Sequence, residues 1–135
     1  MKWLDRALVV LPHYYGLCLD EKDFRRELKS LKVPRANWPP YLGSAHANAT
    51  VHFFEKSDGG HCAIVTLSGM EGRSTAQVHA MLVHEAVHLW QETRSILGEK
   101  SPSSEFEAYA VQSISQRLME AYDEMTAPKR KAKKK

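Results

Sequence analysis

The chain has 135 residues, 43% of them apolar and 26% charged, which is the profile of one globular domain able to hold a core without disulfides or a structural metal. Its longest apolar stretches fall well short of the roughly 20 residues a membrane helix needs, and no secretory pattern is present, so a cytoplasmic setting (host cytoplasm or virion if phage-encoded) without membrane contact is expected. The net charge of +3 conceals two parts: residues 129–135 carry six Lys and Arg side chains, leaving a body of −3. Residues 1–127 are therefore read as a single domain, and 128–135 as a disordered basic tail with a capacity to contact nucleic-acid phosphates.

In chain order, residues 2–11 hold a short apolar segment of no assignable type that ends at Pro12. Asp20 is expected to cap a helix that turns Phe24, Leu28 and Leu31 to one side and ends before Pro34. The stretch from Pro34 to Asn48 is irregular, because Trp38-Pro39-Pro40 fits neither a helix interior nor a central strand. Residues 50–55 and 61–67 are rich in β-branched and aromatic types and flank Ser57-Asp58-Gly59-Gly60, so they read as a hairpin. Cys18 and Cys62 lack any paired spacing and are expected as free buried thiols.

Ser74, with Gln77 three residues later, opens a long helix that stops at Gly98. Apolar residues occupy most of its circumference, so it is expected to be central and buried on all sides. A last helix is expected from Ser101 as cap and Pro102 as first residue to about Tyr122.

Within the long helix stands His84-Glu85-Ala86-Val87-His88. Residues four apart share a helix face, so two imidazoles can converge on one ion. Glu85 lies about 100° round the helix, suited to reach a metal-bound water as general base. Polar groups in an apolar helix are costly without partners, which favours a metal site over coincidence.

These residues resemble the hallmark of the zincins. Glu107 follows His88 after 18 residues and precedes Ala108, the H-E-x-x-H-x18-E spacing of gluzincins, a class of metalloprotease. The resemblance implies zinc held by His84, His88 and Glu107, and an α+β fold with a small antiparallel sheet packed on the central helix. More closely, residues 82–91 and 105–112 resemble small zincin-like proteins of tailed phages and prophages. That likeness implies a zinc-dependent hydrolase acting on a peptide or protein substrate. The alternative is a virion structural or assembly protein, partnered by phage structural proteins, with a structural or vestigial metal.

In thermolysin-like members a carboxylate four residues after the ligand glutamate orients a ligand histidine. Here that position is Val111, leaving a backbone carbonyl or another side chain, Gln112 among them, for the role. Tyr14, Tyr15, Tyr41, His52, His61 and Tyr109 are all open as transition-state stabilisers. Glu107 continues through Val111, Ile114 and Leu118 as a buried stripe, whereas Glu105 lies with Tyr109, Gln112 and Gln116 on a polar face.

Overall fold

The computed structural model describes residues 1–4, 13–56 and 58–128. The apolar residues at 7–11, the hairpin residue Ser57 and the basic run 129–135 lie outside them. The architecture is α+β: strands β1 (Lys2–Leu4), β2 (His13–Cys18), β3 (Ala49–Glu55) and β4 (His61–Leu67), with helices α1 (Glu21–Ser30), α2 (Thr75–Ile96) and α3 (Ser104–Thr126). A short 3-10 turn lies at Arg35–Asn37.

The strands form one sheet in the order β1-β2-β4-β3. The expectation of an antiparallel sheet needs correction. β1 pairs with β2 and β3 with β4 antiparallel, but β2 and β4 are parallel, so the sheet is mixed. The physical reason is the long connection through α1, which carries the chain past the site of β4 to lay β3 at the far edge, so that the β3–β4 hairpin turns back between them in the direction of β2. β4 is central and buried from Cys62 to Leu67, which explains why it reads as a continuous apolar run and not as an alternation. β3 is an edge strand, with exposed and half-buried positions along most of its length.

Helices cover both faces. On one, Leu4, Tyr15, Leu17, Ala63, Val65 and Leu67 pack against α2 and α3. On the other, Cys18 and Ile64 pack against Phe24 and Leu28 of α1. Cys18 and Cys62 are both buried and free.

Asp20 caps α1 and accepts from the Asp23 amide, as the sequence indicates. Ser74 and Gln77 form the full capping box on α2, and Gly98 ends that helix at φ 70, a left-handed angle glycine adopts without strain. Two further expectations are corrected. α3 is capped by Ser103, whose hydroxyl accepts from the Phe106 amide, so Ser101 and Pro102 precede the helix. α2 is not buried all round: Val78, Leu82, Ala86, Leu89 and Trp90 are buried, while His84, His88, Gln91 and Ser95 are exposed. The sheet and α3 cover only part of its circumference.

Candidate metal and hydrolytic site

His84, His88, Gln91 and Ser95 follow at i, i+4, i+7 and i+11, which at about 100° per residue confines them to one narrow stripe of α2. The stripe forms one wall of an open cleft of about 630 Å³ whose other wall is β3, through Ala49, Thr50, Val51 and Phe53. Local sequence produces this directly. A helix turns residues four apart to one side, and an edge strand leaves that side open to solvent.

The two imidazoles meet across the stripe, with Nε2 to Nε2 3.1 Å and ring centroids 4.8 Å apart. A tetrahedral zinc with bonds of 2.0–2.1 Å holds its ligand atoms about 3.3–3.4 Å apart, so the pair fits two corners of such a site. His88 Nδ1 lies 3.1 Å from Gln91 Oε1. With the amide oxygen accepting from Nδ1–H, the Nε2 lone pair of His88 points at His84, the tautomer that a ligand histidine needs. Gln91 thus stands where the sequence left a carbonyl or another side chain open as the partner of a histidine. Its i+3 spacing from His88 was the signal that could have found it.

Glu85 faces the sheet and is only 5% exposed. Burial pushes its carboxyl pKa up. The neighbouring His84 and His88, and a hydrogen bond donated by the Val51 amide, pull the other way. A carboxyl in this setting keeps a high affinity for a proton while sitting one position from the first histidine, which are the properties of a general base.

Glu107 lies at the fourth position of α3, half-buried on the stripe that continues through the buried Ala110, Ile114 and Leu118. Glu105, Tyr109, Gln112 and Gln116 are all exposed, as expected from the helical spacing. The Glu107 carboxylate accepts from Trp90 Nε1 at 2.7 Å and lies 3.5 Å from an Arg94 guanidinium nitrogen. Phe106 packs edge-on against the Trp90 ring, centroids 5.4 Å apart. Trp90 and Arg94 lie roughly 100° from the histidine stripe, on the flank of α2 opposite Glu85. The stripe therefore runs between two carboxylates, Glu85 on the sheet side and Glu107 on the α3 side. Among the described residues, no three His, Cys, Asp or Glu side chains converge as a metal-binding set. The structure brings His84 and His88 together and holds Glu107 at Trp90.

None of the six aromatic and histidine candidates for transition-state stabilisation lines the cleft that holds the pair. His52 and Tyr41 belong to the α1 face. Tyr41 Oη lies 2.7 Å from the Leu67 carbonyl and 3.1 Å from that of Cys18. His52 Nε2 sits 3.1 Å from the Tyr41 carbonyl, with Thr66 Oγ1 beside it. Tyr15 is buried in the core against α2 and α3. Tyr14 is exposed near Trp3, Tyr109 is on the outer face of α3, and His61 lines a second cavity farther along β3. Among the described residues no helix is long and apolar enough to cross a membrane. Comparison with protein-family models, with curated proteins and with solved structures gives no match.

Proposed function

We propose that this chain is a zinc-dependent metallohydrolase acting on peptides, working in the cytoplasm or, if phage-encoded, in the virion. The observation that carries the reading is the convergence of the His84 and His88 Nε2 atoms, 3.1 Å apart, beside a buried carboxylate in a cleft open along an edge strand. His84 and His88 would hold zinc. Glu107 is the third donor that the sequence spacing supplies, and its ligation requires either its second oxygen or release from Trp90 and Arg94. When bound, zinc polarises a scissile carbonyl and acidifies a water. Glu85 takes the proton of the attacking water and returns it to the leaving amine. Gln91 keeps His88 in the tautomer that presents Nε2.

The experiment is zinc analysis together with turnover of a broad peptide library, on the wild type and on Glu85→Gln. About one zinc per chain is expected in both, with activity falling about 10²–10⁴-fold in the variant. A zinc-loaded wild type that cleaves nothing overturns the reading.

Glu107 favours one second reading. Its carboxylate already ties α3 to α2 through Trp90, which is what an assembly protein with a vestigial site would retain. Under that reading His84→Ala leaves assembly intact and Glu107→Ala destabilises the fold.

A further inference from the structure

The cleft does not end at the histidines. A second cavity of about 220 Å³ continues it along β3, lined by Phe53, Phe54, Glu55, His61, Cys62, Glu92 and Ile96. Phe53 and Glu92 line both cavities, so the two form one path. Glu92 is seven residues beyond Glu85, on the same sheet-facing side of α2 and about 10.5 Å farther along the axis. It is half-buried, and among the described residues neither its carboxylate nor that of Glu55 has a hydrogen-bond or ion-pair partner. Lys56, next in sequence to Glu55, is engaged by Asp58 at 3.4 Å. Phe53, 40% exposed, and Ile96 supply apolar walls. Two carboxylates above an apolar slot match a long side chain with an aliphatic stem and a cationic head.

The outer edge of β3 gives the path, and antiparallel addition, the more stable pairing per residue, gives the direction. The Lys56 amide donates to the Gly60 carbonyl and the Ser68 amide to the Asn48 carbonyl, so even-numbered residues of β3 pair with β4 and odd-numbered ones direct their backbone groups outward, where the Val51 amide meets Glu85. β3 and α2 both advance from the histidine pair towards Ile96. An antiparallel peptide on that edge therefore places residues N-terminal to the scissile bond towards Glu92, and at about 3.4 Å per residue the third of them reaches it.

From this geometry we infer that the cleft selects a lysine or arginine about three residues before the scissile bond, held by Glu92 with Glu55 beside it. This rests on the peptidase reading above. The test has two arms. The first profiles cleavage sites in a peptide library by mass spectrometry, then compares kcat/KM for matched peptides with lysine or leucine at the third position. Enrichment of basic residues there is expected, with Glu92→Gln lowering the lysine-to-leucine ratio about tenfold and Glu92→Lys reversing it in favour of glutamate. Cleavage without a basic preference, with the preference on the C-terminal side, or with a ratio unmoved by Glu92→Gln overturns the subsite while leaving the peptidase reading intact. The second arm reads binding without turnover, by fluorescence polarisation of a fluorescein-labelled lysine peptide on the full chain. If nothing is cleaved, the peptidase reading fails by itself. Glu92 then stands as a binding site for a basic side chain if Glu92→Lys abolishes lysine-peptide binding, and falls if binding is absent or unchanged.

Discussion

His52 and the His84–His88 pair lie on opposite sides of one strand, and their surroundings differ in kind. His52 is 8% exposed, its ring 4.9 Å from Phe24 and 6.4 Å from Phe54 between centroids, and its Nε2 meets a backbone carbonyl. Thr66 and Tyr41 complete a group of polar atoms whose partners are main-chain carbonyls. Burial lowers the pKa of His52, opposed by the hydrogen bond to Tyr41, so the ring is kept neutral in the core. His84 and His88 are exposed and face each other, and among the described residues their other hydrogen-bond partner is Gln91, at His88 Nδ1. A histidine satisfied by main chain is part of the core, whereas two histidines whose Nε2 atoms meet at a cleft wall present those atoms to whatever enters the cleft. The same residue type is packed into the core on one face and exposed at a cleft on the other.

The largest expected effect breaks the pair. His84→Ala or His88→Ala should reduce zinc from about one per chain to near none, because a single imidazole on a solvent-exposed stripe retains the ion poorly. His52→Ala should leave zinc content unchanged. Elemental analysis of the three variants decides it, and a wild-type zinc load in both pair variants would place the metal elsewhere.

Next comes Glu107. Glu107→Ala should sharply weaken zinc binding and also cost about 1–3 kcal/mol of stability, since the buried Trp90 N–H loses its acceptor. Glu105→Ala, on the exposed face, should change neither measurably. Zinc titration and urea unfolding of the two variants separate the ligand role from the tie between helices. Stability lost with zinc affinity intact would leave the tie alone.

A smaller effect sharpens the contrast at Gln91. Gln91→Ala should weaken zinc affinity about 10–100-fold without unfolding the chain, the range usual for loss of a group that orients a ligand histidine. Competition against a chelator of known affinity measures it.

The smallest effect lies on the core side. Because the folded pKa of His52 is depressed, its contribution to stability is complete above its unfolded value of about 6.5 and is lost as the pH falls below it. His52→Gln should cost about 1–2 kcal/mol near pH 7.5 and should show a shallower loss of stability between pH 7.5 and 5.5 than the wild type. Urea midpoints at the two pH values test this, and equal slopes would remove His52 from the acid response.

Much of the candidate site was legible because its geometry is local. The i, i+4 spacing of His84 and His88, the offset of Glu85, the capping box at Ser74 and the stop at Gly98 all depend on a single helix whose rise and turn are fixed by backbone sterics. The buried stripe through Glu107 was legible for the same reason. The β3–β4 hairpin was marked by its turn residues, and the central place of β4 follows from an apolar run that leaves no face for water. What the sequence could not determine depends on contacts between distant segments. β2 carries Tyr14-Tyr15-Gly16, whose assignment as a strand comes from pairing with β1 and β4. Whether β2 and β4 run parallel is decided by β3 taking the outer edge of the sheet, so that β4 returns beside β2, and which side of α2 stays open is decided by how far the sheet and α3 reach round it. The cap at Ser103 in place of Ser101 is set where Phe106 meets Trp90, and the hold of Trp90 and Arg94 on Glu107 is a contact between two helices. Turn geometry and helical period propagate over a few residues, so sequence alone carries them. The choice of partner for a buried carboxylate or an edge strand is settled only when separate elements compete for the same space.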